Sequence, residues 1–462
     1  LPRGHPLPDR AAYHARAGPI THLPRTMPAA APDDFCAIDF GTSNSAVAVP
    51  LPQGARLVPL EDGQPTMPTA TFYLAEGPGL ASLPRLHGRA AIAAYVEGTE
   101  GRLMRSMKSV LGSDLMVQHT DIGAGRSVSF ADVIAGYLRH LKTTAERDTG
   151  RALRRVVLGR PVYFVDDDPA RDARAQDALE AAARAVGFED VRFQFEPLAA
   201  AFDHEARIEA EQRVLVADIG GGTSDFSVVR VGPDRQGRPD RRDDVLAHHG
   251  VHVAGTDFDR GVELAAILRP LGHGALGPSA GGQPPREVPS RIYFDLATWH
   301  LVNTLYRPAR VQEVRAMRVN YADERQHARL MKVLLDQLGH DLLGRAERAK
   351  IDVAEGGRAD IDLGLVERGL RATLDQAQAH EALRADIDRI ARAARETAAR
   401  AGLAPDRIDA VYFTGGSTGL PALTDAIGAQ FPAARRVHGD RLASVAAGLG
   451  LHARRVFGPA GA

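Results

Sequence analysis

A two-lobed α/β fold is predicted for this chain, and three features of the sequence predict it. The first is Val214-Leu215-Val216-Ala217-Asp218-Ile219-Gly220-Gly221-Gly222-Thr223-Ser224-Asp225-Phe226-Ser227-Val228-Val229, two strand-forming runs about a turn of three glycines. The second is Phe35-Cys36-Ala37-Ile38-Asp39-Phe40-Gly41-Thr42-Ser43-Asn44-Ser45-Ala46-Val47-Ala48-Val49, again a strand, an aspartate, a small-residue turn and a strand. The third is the succession of short apolar runs and amphipathic helical stretches through the remainder. The two hairpins lie in different halves of the chain and look like one unit used twice. Such a duplication places their turns opposite each other across a cleft; two unrelated hairpins is the other reading.

The turn at 220–222 says what the cleft would hold. Three adjacent glycines remove every Cβ from the bend, so backbone N–H groups can converge on an anion. Asp218 and Asp225 bracket the bend, and carboxylates beside a phosphate call for a hard cation between them. A loop that holds nucleotide phosphates with Mg²⁺ is the local reading, with a plain Gly-rich hairpin as its rival.

Composition sets the frame. With 462 residues, 44% of them apolar and 25% charged, the chain is ordinary for a soluble globular enzyme of several domains. A net charge of -1 offers no bulk attraction to nucleic acid or to an anionic membrane, so neither is expected as a partner. The one cysteine, Cys36, excludes an intramolecular disulfide and fits a reducing, cytoplasmic setting. Lysine occurs only at 108, 142, 332 and 350 in an arginine-rich chain, so a retained lysine hints that a compact ammonium is wanted. Lys142 and Lys332 read as solvated helix residues.

Taken in order, residues 1–34 carry Pro, Ala, Arg and His without periodicity and read as a disordered leader. Short strands are expected around Arg56–Leu60 and Thr69–Leu74, and a helix over Ala131–Asp148. Arg155–Leu158 is a buried strand ending at Arg160-Pro161. Asp166-Asp167-Asp168-Pro169 is an acidic helix entry to an Ala-rich helix reaching Gly187. Val191–Phe195 is a strand, and Glu196-Pro197 opens a helix with proline in its first turn. Beyond the central hairpin, Ala254–Asp259 opens a helix to Leu268, followed by a Gly/Pro-rich loop over 269–290. Leu330–Val353 is expected as one long amphipathic helix and Glu381–Ala401 as another. Ala410–Thr414 is a strand, Gly415–Gly419 a turn, and Pro421–Phe431 and Ser444–Ala453 are helices.

Several patterns are decoys. Gly272-His273-Gly274-Ala275-Leu276-Gly277 has dinucleotide-loop spacing but leads into more loop, not into a helix. His248 and His252 have a helical ligand spacing without further ligands. Gly415-Gly416-Ser417-Thr418-Gly419 has the form of a nucleophile elbow, yet only His438 and His452 follow it, and no His-Gly-Gly stretch exists. The same glycines suit close backbone approach to a planar ligand such as a nucleoside.

Taken together, these motifs resemble, in order and spacing over about residues 35–455, the nucleotide-binding domain of the seventy-kilodalton heat-shock chaperone family, within the actin-like ATPase superfamily. Asp39-Phe40-Gly41-Thr42-Ser43 and Asp218–Asp225 resemble its two phosphate loops. Arg160-Pro161-Val162-Tyr163-Phe164 resembles its Val-Pro-Ala-Tyr-Phe, and Glu196-Pro197-Leu198-Ala199-Ala200-Ala201 its Glu-Pro-Thr-Ala-Ala-Ala. Glu347-Arg348-Ala349-Lys350 resembles its adenosine helix, and Gly415-Gly416-Ser417-Thr418 its adenosine loop.

The resemblance implies an actin-like, ribonuclease-H-like ATPase fold with a nucleotide cleft between lobe I, residues 35–212, and lobe II, residues 213–462, the last helix returning to lobe I. It implies ATP or ADP with Mg²⁺ as ligands. Asp39 and Asp218 would hold the magnesium waters. Gly41, Thr42, Ser43, Asn44, Gly220, Gly221, Gly222 and Thr223 would wrap the phosphates. Glu347, Lys350, Gly415, Gly416 and Ser417 would hold the adenosine. Lys108 would position the attacking water, with Glu196, Asp218, Thr223 and Asp225 completing the catalytic shell. Slow ATP hydrolysis is the implied reaction, and protein clients or cochaperones are possible partners.

The chain also departs from that family. Both adenine-bracketing arginines are missing, with Ile351 after Lys350 and Gly419 after Thr418. Asp440-Arg441-Leu442-Ala443 replaces an Asn-Pro-Asp/Glu-Glu segment. A peptide-binding β-sandwich needs ~100 residues, more than follow the adenosine loop, so a member without that domain is expected. A small-molecule kinase of the same superfamily, a filament-forming relative and a nucleotide-binding pseudo-ATPase are the alternatives.

Overall fold

The structure, a computed structural model, describes residues 34–51, 54–75, 84–123, 125–165, 168–238, 240–279, 284–441 and 443–458. The leader read over 1–33 and the acidic pair Asp166-Asp167 lie outside these residues; Asp168 caps the helix that follows by accepting from the Arg171 N–H.

Two sheets share one strand plan. In the first, β1 (Phe35–Phe40) and β2 (Asn44–Pro50) form an antiparallel hairpin, and β3 (Arg155–Arg160) and β4 (Asp190–Phe195) add in parallel beyond β1. A short strand, Ala55–Leu57, extends the β2 side. In the second, β5 (Gln212–Ile219) and β6 (Ser224–Val231) are the hairpin, and β7 (Val245–Val251) extends the β6 side. There β8 (Ala410–Thr414) and β9 (Arg435–His438) add in parallel beyond β5. The strand orders β4-β3-β1-β2 and β9-β8-β5-β6-β7 therefore correspond hairpin to hairpin and crossover to crossover.

Side-chain alternation then decides where each face points. Phe35 and Ala37 join Val214, Val216 and Val229 in one shared apolar layer. Cys36, Ile38 and Phe40 go to the opposite face, beneath α1 (Phe130–Thr149) and α2 (Pro169–Ala185). Leu215, Ala217 and Ile219 likewise go outward, to a core with α4 (Gly255–Val262), α5 (Gly339–Gly356), α6 (Gln376–Arg400) and α7 (Pro421–Ala429). The shared layer is filled by α3 (Glu196–Glu205) and α8 (Ser444–Phe457), through Leu198, Phe202, Val445 and Leu449. These two helices touch at backbone distance: a Cβ on Gly448 would stand 1.8 Å from the Ala199 carbonyl oxygen.

The elements expected from sequence mostly appear, with three corrections. Leu330–Val353 is two helices, Glu324–Leu335 and α5. Gln337 between them has φ 55°, and the Leu338 N–H reaches back to the Val333 carbonyl, a left-handed closure usually signalled by glycine. His248 lies on strand β7, so its spacing from His252 is not a helical one; among the described residues no group of three or more metal-ligand side chains occurs. Lys142 is not solvated: its ammonium pairs with Glu146 at 2.5 Å and stands over the Phe188 ring. Among the described residues no helix is long and apolar enough to cross a membrane.

The α3–α8 contact gives a direct stability test. Gly448→Ala forces the helices apart and is expected to cost about 1–3 kcal/mol. Gly344→Ala on α5, with open space around it, should be neutral or slightly stabilising. Denaturant unfolding of both variants checks the contrast.

Candidate functional site

Asp39 continues the Phe35, Ala37 side of β1, and Asp218 continues the Val214, Val216 side of β5. Alternation therefore aims both carboxylates at the space between the sheets, just where each hairpin turns. Asp225 shares the Val229 side of β6, and the hydroxyl of Thr223, just before the strand, donates to Asp225 Oδ2 at 2.7 Å. The turns themselves meet. A Cβ on Gly221 would come within 3.1 Å of Ser43 Oγ, so the second loop lies against the first. Gly41 permits the first turn, since a Cβ there would fall 2.2 Å from the Asn44 carbonyl.

Lys108 and Glu196 come to the same place from elsewhere. Lys108 sits on a single 3₁₀ turn, Met107–Val110, entered through Ser106 with φ 54°. Its Nζ donates to Glu196 Oε1 at 2.5 Å, and Glu196 opens α3 immediately after strand β4. Both side chains are largely enclosed, at 9% and 15% exposure, which keeps the pair out of bulk solvent. Gly159 on β3 clears room for Glu196: a Cβ there would lie 3.1 Å from its Cγ.

The charge balance is uneven. Burial, then Glu196 and Asp218, push the Asp39 carboxyl up to about 8, against the pull of Lys108. Burial, then Asp225 and Glu196, push Asp218 up to about 7. Burial alone would lower the Lys108 ammonium, yet Glu196, Asp39 and Asp225 together hold it above its ordinary value. Four carboxylates thus face one ammonium. The donor set suits a further hard cation carried in with phosphate oxygens, as Mg²⁺ is, better than an all-protein metal cage.

The residues expected on the adenosine side lie partly beside the first group. Ser417 Oγ donates to the Gly220 carbonyl at 2.7 Å, tying the Gly415–Gly419 turn to the second hairpin. Gly415 needs to be glycine, with φ 88° and a virtual Cβ 2.4 Å from the Ile219 carbonyl. Lys350 points back at α4, pairing with Asp259 at 2.6 Å and reaching the Gly255 carbonyl at 3.5 Å. Glu347, a turn earlier, is exposed, and its field adds to the forces holding Asp259 at about 6, burial being the largest and Lys350 opposing. Asn44 is exposed at the start of β2 and Gly222 projects into open space. Beside Leu420 and Pro421 lies a largely apolar cavity of about 570 Å³, walled also by Val353, Ala354 and Leu383.

Neither histidine that follows the elbow-like serine is turned to it: the His438 ring stacks on Phe413, and His452 contacts Gln194 and Phe202. Three contributors were not singled out from sequence. Gly255 and Thr256 donate backbone N–H groups to the Gly220 and Gly221 carbonyls, bracing the glycine turn, and Asp259 holds Lys350. The Asp257-Phe258-Asp259 stretch was visible as a helix start, but only tertiary packing shows which carboxylate meets a lysine.

A family model described as Hsp70 protein matches residues 35–263. The matched stretch contains both hairpins, Lys108, Glu196 and the Gly255 brace, and it supports an Hsp70-type nucleotide-binding region with the ATP-binding, chaperone-like role of that family. Glu347, Lys350 and the Gly415–Gly419 turn lie beyond it.

The raised carboxyls set a pH test. Because Asp39 keeps its proton up to about 8 in the folded chain and only to the ordinary 3.8 when unfolded, stability is full below pH ~4 and lost as pH rises to 8. In chelating buffer, Asp39→Asn should raise the Tm at pH 8.5 by roughly 2–4 °C and leave it unchanged at pH ~4. Thermal melts at the two pH values check this.

Proposed function

We propose that the chain is a Mg²⁺-dependent ATP-binding protein that hydrolyses ATP slowly and acts as a nucleotide-controlled, chaperone-like switch. Its two halves would be lobes I and II, with the nucleotide in the cleft between them. The observation that carries this reading is the meeting of the two aspartate hairpins, Ser43 against Gly221, with the Lys108–Glu196 pair at their edge.

The chain's own residues would act as follows. Glycine-turn N–H groups at 41–43 and 220–223 cradle the phosphates. Asp39 and Asp218 would hold the hydrated magnesium, which would supply charge neutralisation. Lys108, kept cationic by its carboxylate neighbours, holds the attacking water near the terminal phosphate. That water's oxygen would bond to phosphorus as the bond to the bridging oxygen breaks, its proton passing to Glu196 or Asp225. Positioning and electrostatics do nearly all the work in such a transfer. Clients and cochaperones belong to the same proposal.

Calorimetric titration with Mg-ATP, Mg-ADP and Mg-GTP beside a phosphate-release assay tests this. The wild type should bind adenine nucleotides and release phosphate without added substrate. Lys108→Ala should hold Mg-ATP within about threefold while phosphate release falls by about a hundredfold, the usual scale for losing one positioned catalytic group. Release that starts only when a sugar or polyol is added would reassign the protein as a kinase. Unchanged turnover in Lys108→Ala would remove the catalytic assignment.

A further inference from the structure

On α1, Tyr137 shares the buried face with Val133, Ile134, Leu138 and Leu141, in the core that also holds Ile38, Phe40 and Val47, and none of it reaches solvent. Packing alone would be satisfied there by a side chain without a polar atom. A buried hydroxyl costs free energy unless it finds a partner. The ring is fixed by its neighbours, tilted against Phe40 at 6.0 Å and edge-to-face with His87 at 5.8 Å, while His140 packs on His87 at 4.6 Å. Burial, then His140 and Arg85, lower His87 to about 3, so it packs as an uncharged ring.

So held, the Tyr137 hydroxyl donates to the Pro68 carbonyl at 2.9 Å. Pro68 ends a short strand, Thr66–Pro68, that runs antiparallel to the start of β2 with Pro68 opposite Asn44 and Met67 opposite Ser45. The next residue completes the link: the Thr69 N–H donates to the Ser43 carbonyl at 2.8 Å, and the Thr69 hydroxyl pairs with Ser45 Oγ at 2.8 Å. A trans peptide carries its C=O and N–H on opposite edges. Tying the Ser43 carbonyl to Thr69 therefore directs the Asn44 N–H to the other edge, the side on which the Asn44 carbonyl approaches Gly41. Ser43 is also the residue against which Gly221 closes. Consecutive hydrogen bonds thus run from a tyrosine in a helix core to the place where the two hairpins meet.

We propose that Tyr137 is a positioning residue for anion binding: through Pro68 and Thr69 its hydroxyl holds the Ser43–Asn44 peptide in the orientation that receives the phosphates of a bound nucleotide. The proposal rests on the nucleotide reading above. It places the effect in the phosphate part of the ligand, so a bare polyphosphate should sense the residue as strongly as a nucleotide does. The link exists without ligand, in the bond from Thr69 to Ser43, and that bond can be followed by itself.

Tyr137→Phe keeps the ring and removes only the hydroxyl. In calorimetry on the full chain it should weaken Mg-ATP and Mg-tripolyphosphate alike, each by about three- to tenfold. Ile134→Val trims the same buried helix face without touching the link, so it should lower stability and leave both affinities within about twofold. In the ligand-free chain, amide hydrogen exchange at Thr69 should quicken by about three- to tenfold in Tyr137→Phe, and by less in Ile134→Val. Wild-type affinity for tripolyphosphate in Tyr137→Phe overturns the proposal. So does a loss confined to Mg-ATP, an equal loss in Ile134→Val, or unchanged exchange at Thr69. If the wild type binds neither ligand, the nucleotide reading has failed and takes this proposal with it; binding that the variant does not disturb removes the proposal alone.

Discussion

Four carboxylates, Asp39, Glu196, Asp218 and Asp225, crowd around a single ammonium at Lys108, and much of the surrounding architecture serves to keep them there. Charges of one sign drawn together out of water repel strongly. The chain tolerates this because the groups are delivered from rigid strand ends and a helix start whose positions are fixed by three apolar layers. A loop carrying the same carboxylates would swing them apart. A cation bound there with its own anionic ligand would relieve such repulsion, as the proposed function requires.

Delivery from strands also explains the glycines that matter. Gly41, Gly159, Gly415 and Gly255 each remove a side chain that would strike a backbone carbonyl, Glu196 or Ser417. They are clearances around polar groups and not points of slack. The backbone links from Gly255 and Thr256 to the glycine turn make that turn part of α4 as much as of the hairpin.

Much of this was legible in the residues. The hairpins and the strand-and-helix succession follow from period-two alternation, because local sequence dictates them, whereas the grouping of Lys108 with Glu196, 88 residues apart, was implied only by the resemblance of their motifs. What escaped was set by distant packing. Gln337 ends a helix in a left-handed conformation that its side chain does not advertise, so two helices read as one. Lys142 looked like surface until Glu146 and Phe188 closed over it. His248 shares its spacing with helical ligands, yet the strand it occupies is fixed by pairing with β6. Asp259 gave no sign of which lysine it would meet, since α4 and α5 are far apart in the chain and adjacent only once folded.

Repetition of one strand plan, with hairpin turn facing hairpin turn, gives the molecule an approximate dyad passing between those turns. Anything lying on that axis sees nearly the same loop from both sides, whereas a phosphate chain has two different ends. Polarity must then come from material outside the repeat. The two lysines that meet carboxylates across the fold sit in just such material: Lys108 in the excursion between β2 and β3, Lys350 in the one between β7 and β8. Each half of the duplication has thus grown its own arm, and the arms, not the shared core, tell one end of the axis from the other.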